Sequence, residues 1–450
     1  MMSRINQRFL TWSVAATCLG TVAGVHAAGF QLQEQNASGL GNAYAGQGAA
    51  AQDASTVFFN PAGMTKLPGR SAVGALNVIR PETKFTNNGS TTAPLQPVLG
   101  GNGGDAGGWA FVPNAYLSWQ LSPPLFVGIG LNAPFGLKTE YDANWVGRFH
   151  AIESEMKTIN VNPSIAYKVS DMLSLGAGVN LQRAEATLSN AVNYSAAAFG
   201  AGGAAALAGV GGPGVEGVAT VKGHDTGWGY NLGAMIDLGP ATRIGVAYRS
   251  SIKYTLEGSV SFANRPALLA AGLPDGPVAA DVKLPAIASV SLFHRLNPKW
   301  DLLADVSWTD WSQLRSLDVR RASGAQLSTT PLNWRDSWRA GLGANYHHND
   351  MWTLRFGVAY DQTPVESADR TPRVPDENRR WIAVGAQYRM SKQLAVDVGY
   401  AHLFVTDPRV NLCNAAQAAA NPAACAGKNN LVGRYKNNVN ILSVQARYSF

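Results

Sequence analysis

The chain has 450 residues, of which only 14% are Asp, Glu, Lys or Arg, against about 25% in a typical soluble domain. Apolar residues reach 46% and glycines number 48, yet mean hydropathy is close to zero, a balance that fits neither an ordinary cytosolic enzyme nor a helical membrane protein. The formal net charge of +7 comes from basic residues scattered singly along the chain, which argues against a nucleic-acid partner.

Residues 1–27 read as an export signal. Arg4 and Arg8 precede an apolar stretch from Phe9 to Val25, and Val25-His26-Ala27 places small residues where signal peptidase needs them, ahead of Ala28. A rival reading makes Cys18 a lipidated terminus, but Ala15-Ala16-Thr17 lack the pattern expected before it. Beyond Ala28 no apolar run reaches the ~18 residues of a spanning helix, so entry into a membrane requires a closed barrel. The stretch from Ala28 to Lys66 is rich in Gly, Ala, Ser and Asn and shows neither strand alternation nor a long apolar helix face. It has too little apolar surface to fold alone. Residues 28–69 are therefore expected to form a plug inside something larger.

From residue 70 to 450 alternating β segments recur between short turns and long loops, one of which, Ser195 to Gly217, is low-complexity and expected to be a loosely packed, partly helical external loop. Six tight turns fall at Leu121-Ser122-Pro123-Pro124, Ser170-Asp171, Leu238-Gly239-Pro240, Leu296-Asn297-Pro298-Lys299, His348-Asn349-Asp350 and Arg389-Met390-Ser391-Lys392. They join six hairpins, with one further strand at each end, near Ser71–Phe85 and Asn438–Phe450. The expected fold is all-β, a transmembrane antiparallel barrel of 14 strands with an N-terminal hatch in its lumen. An even count with short turns on one side and long loops on the other is the asymmetry of bacterial outer-membrane barrels. It places both termini in the periplasm.

Alternation supports the count. Trp352, Leu354, Phe356, Val358 and Tyr360 oppose Thr353, Arg355, Gly357, Ala359 and Asp361; the bulky set faces lipid and the small or charged set faces the lumen. Leu394–Phe404 and Leu442–Phe450 repeat the division, and the terminal Phe450 resembles an outer-membrane assembly signal. Trp119, Trp300, Trp338, Trp352 and Trp381 are assigned to interfacial girdles. The dispersed cations then read as wall residues and lipopolysaccharide contacts.

No catalytic motif or metal-ligand cluster emerges, so neither an enzyme nor a cofactor is expected. Cys413 and Cys425 form an even pair in a loop, suited to a disulfide in an oxidising compartment. Arg243, Arg249, Arg335, Arg339, Arg355, Arg389 and Arg447 take the inward parity, most of them paired with carboxylates such as Asp305, Asp361 and Asp397. One or two could be left to hold a carboxylate ligand. In strand three, Asn132-Ala133-Pro134-Phe135-Gly136 breaks the β pattern, because proline removes a ladder donor and glycine weakens the strand. It is either a routine bulge or an opening in the wall.

These residues resemble the FadL-type outer-membrane transporters of long-chain fatty acids and, in related members, aromatic hydrocarbons. The likeness rests on Ala28-Gly29-Phe30-Gln31-Leu32, Ser38-Gly39-Leu40-Gly41, Asp53-Ala54 and Asn60-Pro61-Ala62. It continues in Phe135-Gly136-Leu137 with Thr139-Glu140, in Thr309-Asp310-Trp311-Ser312-Gln313, and in Pro375-Asp376-Glu377-Asn378-Arg379. The resemblance implies an apolar ligand bound near the hatch and released sideways through a strand-three kink around Gly136, in a monomer. It assigns Asn60, Pro61 and Ala62 to the hatch motif and Phe30 to a ligand-sensitive tail. The family's basic residues near the ligand fall on Arg183 and Arg335, with Asp361 nearby. Arg335 has the inward parity; Arg183 shares parity with Leu175, Val179 and Leu181, and so needs a bulge or a place above the membrane. Pro134 is an addition to the family's kink.

Three readings follow. The barrel takes up long-chain fatty acids; or it takes up monoaromatic or alkane hydrocarbons; or it is a structural or adhesive barrel with a permanent cork. Unpaired lumen cations favour the first, and an all-apolar pocket favours the second.

Overall fold

The computed structural model describes residues 29–450; the export signal and the cleavage point before Ala28 lie outside the described residues. Twenty β-segments make a closed antiparallel barrel of 14 strands, because six strands are broken into two pieces. Strands one and two are Arg70–Asn87 and Ala110–Ser122. Strand three runs Leu125–Asn132 and resumes at Gly136–Glu140. Strands four, five and six are Glu153–Lys168, Leu173–Asn193 and Glu216–Asp237. Strand seven comprises Thr242–Arg249 and Ile252–Ala263, and strand eight Gly276–Leu284 and Ile287–Asn297. Strands nine and ten have lower pieces Trp300–Thr309 and Ser337–His347, and upper pieces Ser316–Arg321 and Gln326–Pro331. Strands eleven and twelve are Trp352–Asp361 and Arg379–Arg389. Strand thirteen is Leu394–Val405 with a short Arg409–Leu412 piece, and strand fourteen is Leu431–Ser449. The cylinder closes where strand one pairs with strand fourteen, from Ser71↔Ser449 to Asn87↔Gly433.

All six tight turns fall where the turn chemistry puts them. In the lower wall the alternation is as read: Phe356, Val358 and Tyr360 are exposed while Arg355, Gly357, Ala359 and Asp361 are buried. Trp119, Trp338 and Trp352 stand outside, but Trp381 is only 1% exposed and faces inward. It is not a girdle residue: its ring stands edge-on to Tyr44 at 6.4 Å and lies 5.4 Å from the Arg339 guanidinium, filling space above the plug. The low-complexity stretch after strand five is largely a helix, Tyr194–Gly209, interrupted at Gly202 and Gly203.

In the upper wall the alternation inverts. Strands seven to ten break at one level, since Ile287 pairs with Arg249 and Thr309, and Thr309 with Ser337. Above it, Ile252, Tyr254 and Leu256 are buried, while Lys253, Thr255 and Glu257 are exposed. Strand four makes the same change: Ile159, Val161 and Ile165 face out below, and Lys157 and Glu155 flank a buried Met156 above. A wall in water needs the opposite polarity from a wall in lipid, so the upper third of the cylinder stands clear of the hydrocarbon and its apolar faces point inward.

Residues 29–66 lie inside the cylinder. Three single-turn helices and a 3-10 segment, Pro61–Lys66, are mostly buried. Wall glycines permit the close fit: a Cβ at Gly385 would sit 2.8 Å from Gly41 Cα and one at Gly399 3.0 Å from the Ala37 carbonyl, while side chains at Gly357, Gly245 and Gly176 would overlap the backbone of Asn42, Gly48 and Ala62. Polar contacts complete the seat. Gln445 accepts from Ala37 N–H at 3.0 Å and donates to Asp53 at 2.8 Å. Arg447 donates to the Gln52 carbonyl at 2.7 Å, and Asn42 donates to the carbonyls of Ala344 and Phe356. Two arginine–carboxylate pairs of the wall, Arg339–Asp305 at 3.5 Å and Arg355–Asp397, also touch it: Arg339 donates to the Ala43 carbonyl and Arg355 to Gln52 at 3.1 Å.

Candidate functional site

The inverted upper wall encloses an apolar cavity with about 930 Å³ of empty space. Leu137 and Met156 line it from strands three and four, Leu256 and Val282 from seven and eight, and Leu314 and Val374 from the loops. Phe30 forms its base. That ring stands edge-on to Trp311 at 4.7 Å and tilts against Trp334 at 5.6 Å, with Phe135 6.1 Å away. Gly29 precedes it at φ +61, with its N–H on the Asp376 carboxylate at 2.9 Å. A side chain there would collide with Trp311.

A second compartment with about 830 Å³ of empty space adjoins it, sharing Thr330 and Arg373. The loop bridged by Cys413 and Cys425, whose Cα atoms are 5.4 Å apart, covers one side. Arg373 donates to the Glu153 carbonyl at 3.1 Å, to Ser154 Oγ at 2.9 Å and to Asn190 at 3.3 Å. The Lys428 side chain faces the same space and makes no hydrogen bond or ion pair among the described residues. Neither cation has a carboxylate partner there; Asp369, which lines the compartment, accepts from Asn333 at 3.1 Å. Burial depresses the Arg373 guanidinium to about 10, and burial together with Arg373 depresses Lys428 to about 8. His150 is pushed down to about 3 by burial and by Lys428, so it is neutral at pH 7. The arrangement is an apolar pocket with an uncompensated positive end.

Several expected site residues lie elsewhere. Arg183 is exposed on the outer face, paired with Glu185 at 2.8 Å; it occupies the charged band above the lipid, as its parity required, and does not line the cavity. Arg335 precedes the lower piece of strand ten, so strand parity does not apply, and its half-exposed side chain pairs with Glu366 at 3.3 Å. Asp361 is buried inside, opposite Arg339 and Arg379 in the ladders, away from the apolar cavity. Asn60 caps the 3-10 segment by accepting from Ala62 N–H at 3.1 Å, and donates to the carbonyls of Gly48 at 2.8 Å and Ala234 at 3.0 Å. Pro61 and Ala62 rest against Gly176 of strand five. Arg373 and Lys428 escaped the sequence reading because loop residues have no parity to betray them.

At strand three the ladder to strand two stops at Ala115↔Leu131, whereas the ladder to strand four continues from Asn132↔Asn160 to Gly136↔Lys157 across the break. The wall therefore has a free inner edge above Leu131. The plug's leading residues cover it: Gln31 bridges Phe135, Leu32 N–H donates to the Pro134 carbonyl at 2.8 Å, and Gly136 N–H donates to the Phe30 carbonyl at 2.9 Å. Gln35 donates to the Ala133 carbonyl at 3.1 Å, and Thr158 bonds both backbone groups of Phe135. Asn77 and Asn114 hold the Glu34 carbonyl from strands one and two.

A plugged barrel with a lipid-facing lower wall and an apolar, cation-tipped cavity above it belongs to the class of outer-membrane proteins that handle hydrophobic molecules. The chain is a member of the outer membrane protein transport family (OMPP1/FadL/TodX), whose model matches residues 18–450. It is 30% identical over 407 residues to a long-chain fatty acid transport protein of Escherichia coli O6:H1, covering 87% of this chain and 90% of the relative. Among solved structures it is similar to a Pseudomonas aeruginosa FadL homologue, with a TM-score of 0.83, 28% identity, and coverage of 94% of this chain and 100% of the other. The Pseudomonas putida toluene transporter TodX shares the fold at a TM-score of 0.65 and 20% identity, over 88% of this chain and 94% of its own.

Proposed function

We propose that the protein takes up long-chain fatty acids across the outer membrane. The observation that carries this reading is the pair of cations, Arg373 and Lys428, neither ion-paired to a carboxylate among the described residues, in the compartment that adjoins the apolar cavity. A toluene or an alkane gives such charges nothing to bind. A fatty acid supplies a carboxylate for the guanidinium and ammonium and a chain that gains about 0.8 kcal/mol per buried methylene.

The chain would reach down to Phe30. Lifting the tail from strand three breaks three backbone or amide contacts, worth about 1 kcal/mol net each, and exposes one aromatic side chain at a cost of about 2–3 kcal/mol. Six to eight methylenes offset that sum, so a long chain can displace the tail and a short one cannot. Displacement uncovers the edge between strands two and three, and the ligand leaves sideways into lipid, with Asn132, Pro134, Phe135 and Gly136 framing the exit. The glycine seat keeps the rest of the hatch in place, with Asn60-Pro61-Ala62 as its anchor to strands five and six. Both chain ends lie on the periplasmic side of a monomer.

Equilibrium binding of radiolabelled oleate and toluene to purified protein tests the reading. Oleate should bind more tightly than toluene, and Arg373→Gln should weaken oleate alone. Preference for toluene would place the protein with the hydrocarbon carriers, and binding of neither would leave a structural cork.

A further inference from the structure

Directly beneath the tail lies a separate chamber with about 640 Å³ of empty space, in which Gln31, Asn231 and Arg249 stand beside Phe58, Phe59 and Ile287. The tail divides the two: Phe30 lines the apolar cavity, and the next residue, Gln31, lines the chamber. Arg249 of strand seven projects into it, 8% exposed. Its guanidinium lies 4.3 Å from the Phe58 ring centre, donates to the Phe58 carbonyl at 3.0 Å and to Asn180 Oδ1, and has no carboxylate partner among the described residues. Asp305, which also lines the chamber, is engaged by Arg339.

From Arg249 a row of buried amides crosses the inner wall toward strand three. Asn160 donates to both Asn180 and Asn132 at 3.1 Å, Asn180 donates to Asn231 at 3.0 Å, and Asn162 donates to Asn231 at 2.9 Å. The row ends at Asn132, the last strand residue before the break. Four of its amide atoms have no partner in the protein: Asn132 Nδ2, Asn160 Oδ1, Asn162 Oδ1 and Asn231 Nδ2. Buried amides are seldom left so.

We infer that Arg249 and this asparagine row form a second anion station, which receives the ligand's carboxylate after the tail has moved and leads it to the strand-three edge. The inference rests on the fatty-acid reading and adds a head-group path to it. A carboxylate drawn from Arg373 into a purely apolar exit would lose its hydrogen bonds before reaching the lipid interface, a loss that blocks transit. Arg249 is the one wall cation lining this chamber, and the orphaned amide donors of Asn132 and Asn231 supply further contacts on the way.

The test compares uptake of radiolabelled oleate and oleyl alcohol by cells whose own transporter is deleted and which express the full chain or a variant. Arg249→Gln should lower the oleate-to-alcohol uptake ratio by about tenfold, the value of one charge-assisted contact, and Arg249→Lys should restore much of it. Asn160→Ala, which removes the central amide and no charge, should shift the ratio in the same direction. An unchanged ratio in both variants, or an equal fall for the two substrates with no rescue by lysine, would overturn the station. Oleate binding to the purified wild-type protein separates the two proposals: intact binding with an unchanged ratio removes only the station, whereas absent binding removes the fatty-acid reading itself.

Discussion

Replacing Lys428 with glutamine isolates the charge at the cavity's positive end. The ammonium makes no hydrogen bond or ion pair within the described protein, so the substitution orphans no partner and leaves the apolar cavity intact. A hydrogen bond to a charged group contributes about 1.5–3 kcal/mol, which corresponds to a loss of roughly 10- to 100-fold in oleate affinity. Oleyl alcohol, lacking the carboxylate, should lose less than about threefold. The pH dependence gives an independent handle. Lys428 titrates near 8 in the free protein and its charged form binds the anion, so wild-type oleate affinity should fall as pH rises above 8, and the glutamine variant should lack this step. Stability moves the other way: the folded-state value lies below the ordinary lysine value, so burial of the ammonium costs stability at neutral pH, and that cost is relieved as pH rises from about 8 toward 10.5. Radiolabelled ligand binding in detergent, from pH 6.5 to 9.5, measures the affinities. Equal losses for acid and alcohol, or a pH profile unchanged by the substitution, would show that Lys428 does not meet the carboxylate.

Three further outcomes are expected. Gly357→Val places a side chain on the Asn42 backbone, and should unseat the hatch, seen as faster trypsin cleavage within residues 29–69 and raised antibiotic sensitivity. The double change Pro134→Ala with Gly136→Ala should slow oleate uptake severalfold while binding holds, because it restores strand character at the break and presses a methyl to 3.1 Å from Leu32; unchanged uptake would remove the side exit. Reducing the Cys413–Cys425 bridge frees a loop that the cross-link constrains by about 3 kcal/mol, and should speed oleate dissociation without changing barrel stability, as read by heat-modified gel mobility.

The wall was legible because its rules are local. Turn residues such as Asn349-Asp350 and Pro123-Pro124 have few other uses, and side-chain parity along Trp352–Asp361 needs only the sequence to be seen. Legibility failed where a residue leaves the regular ladder or the lipid. Arg335 sits two positions before its strand and ends up beside Glu366, and Trp381 near a strand end looked interfacial although its neighbours Arg379 and Ala383 gave the inward parity. The inversion above Ile252 was invisible to a rule that assumes lipid outside. Arg373 and Lys428 were missed for a related reason: they come together through two loops far apart in sequence, and only the fold juxtaposes them. The strand-three break was marked by Pro134, but not the residues that cover it, because edge pairing by a distant tail leaves no periodic trace.

The switch from greasy to charged exterior halfway up the cylinder also works as a depth gauge. Each of strands four, seven and eight carries its own waterline, so the molecule's vertical position is written into its staves and needs no partner to set it. The apolar cavity consequently sits above the hydrocarbon level, behind staves whose outer face is charged.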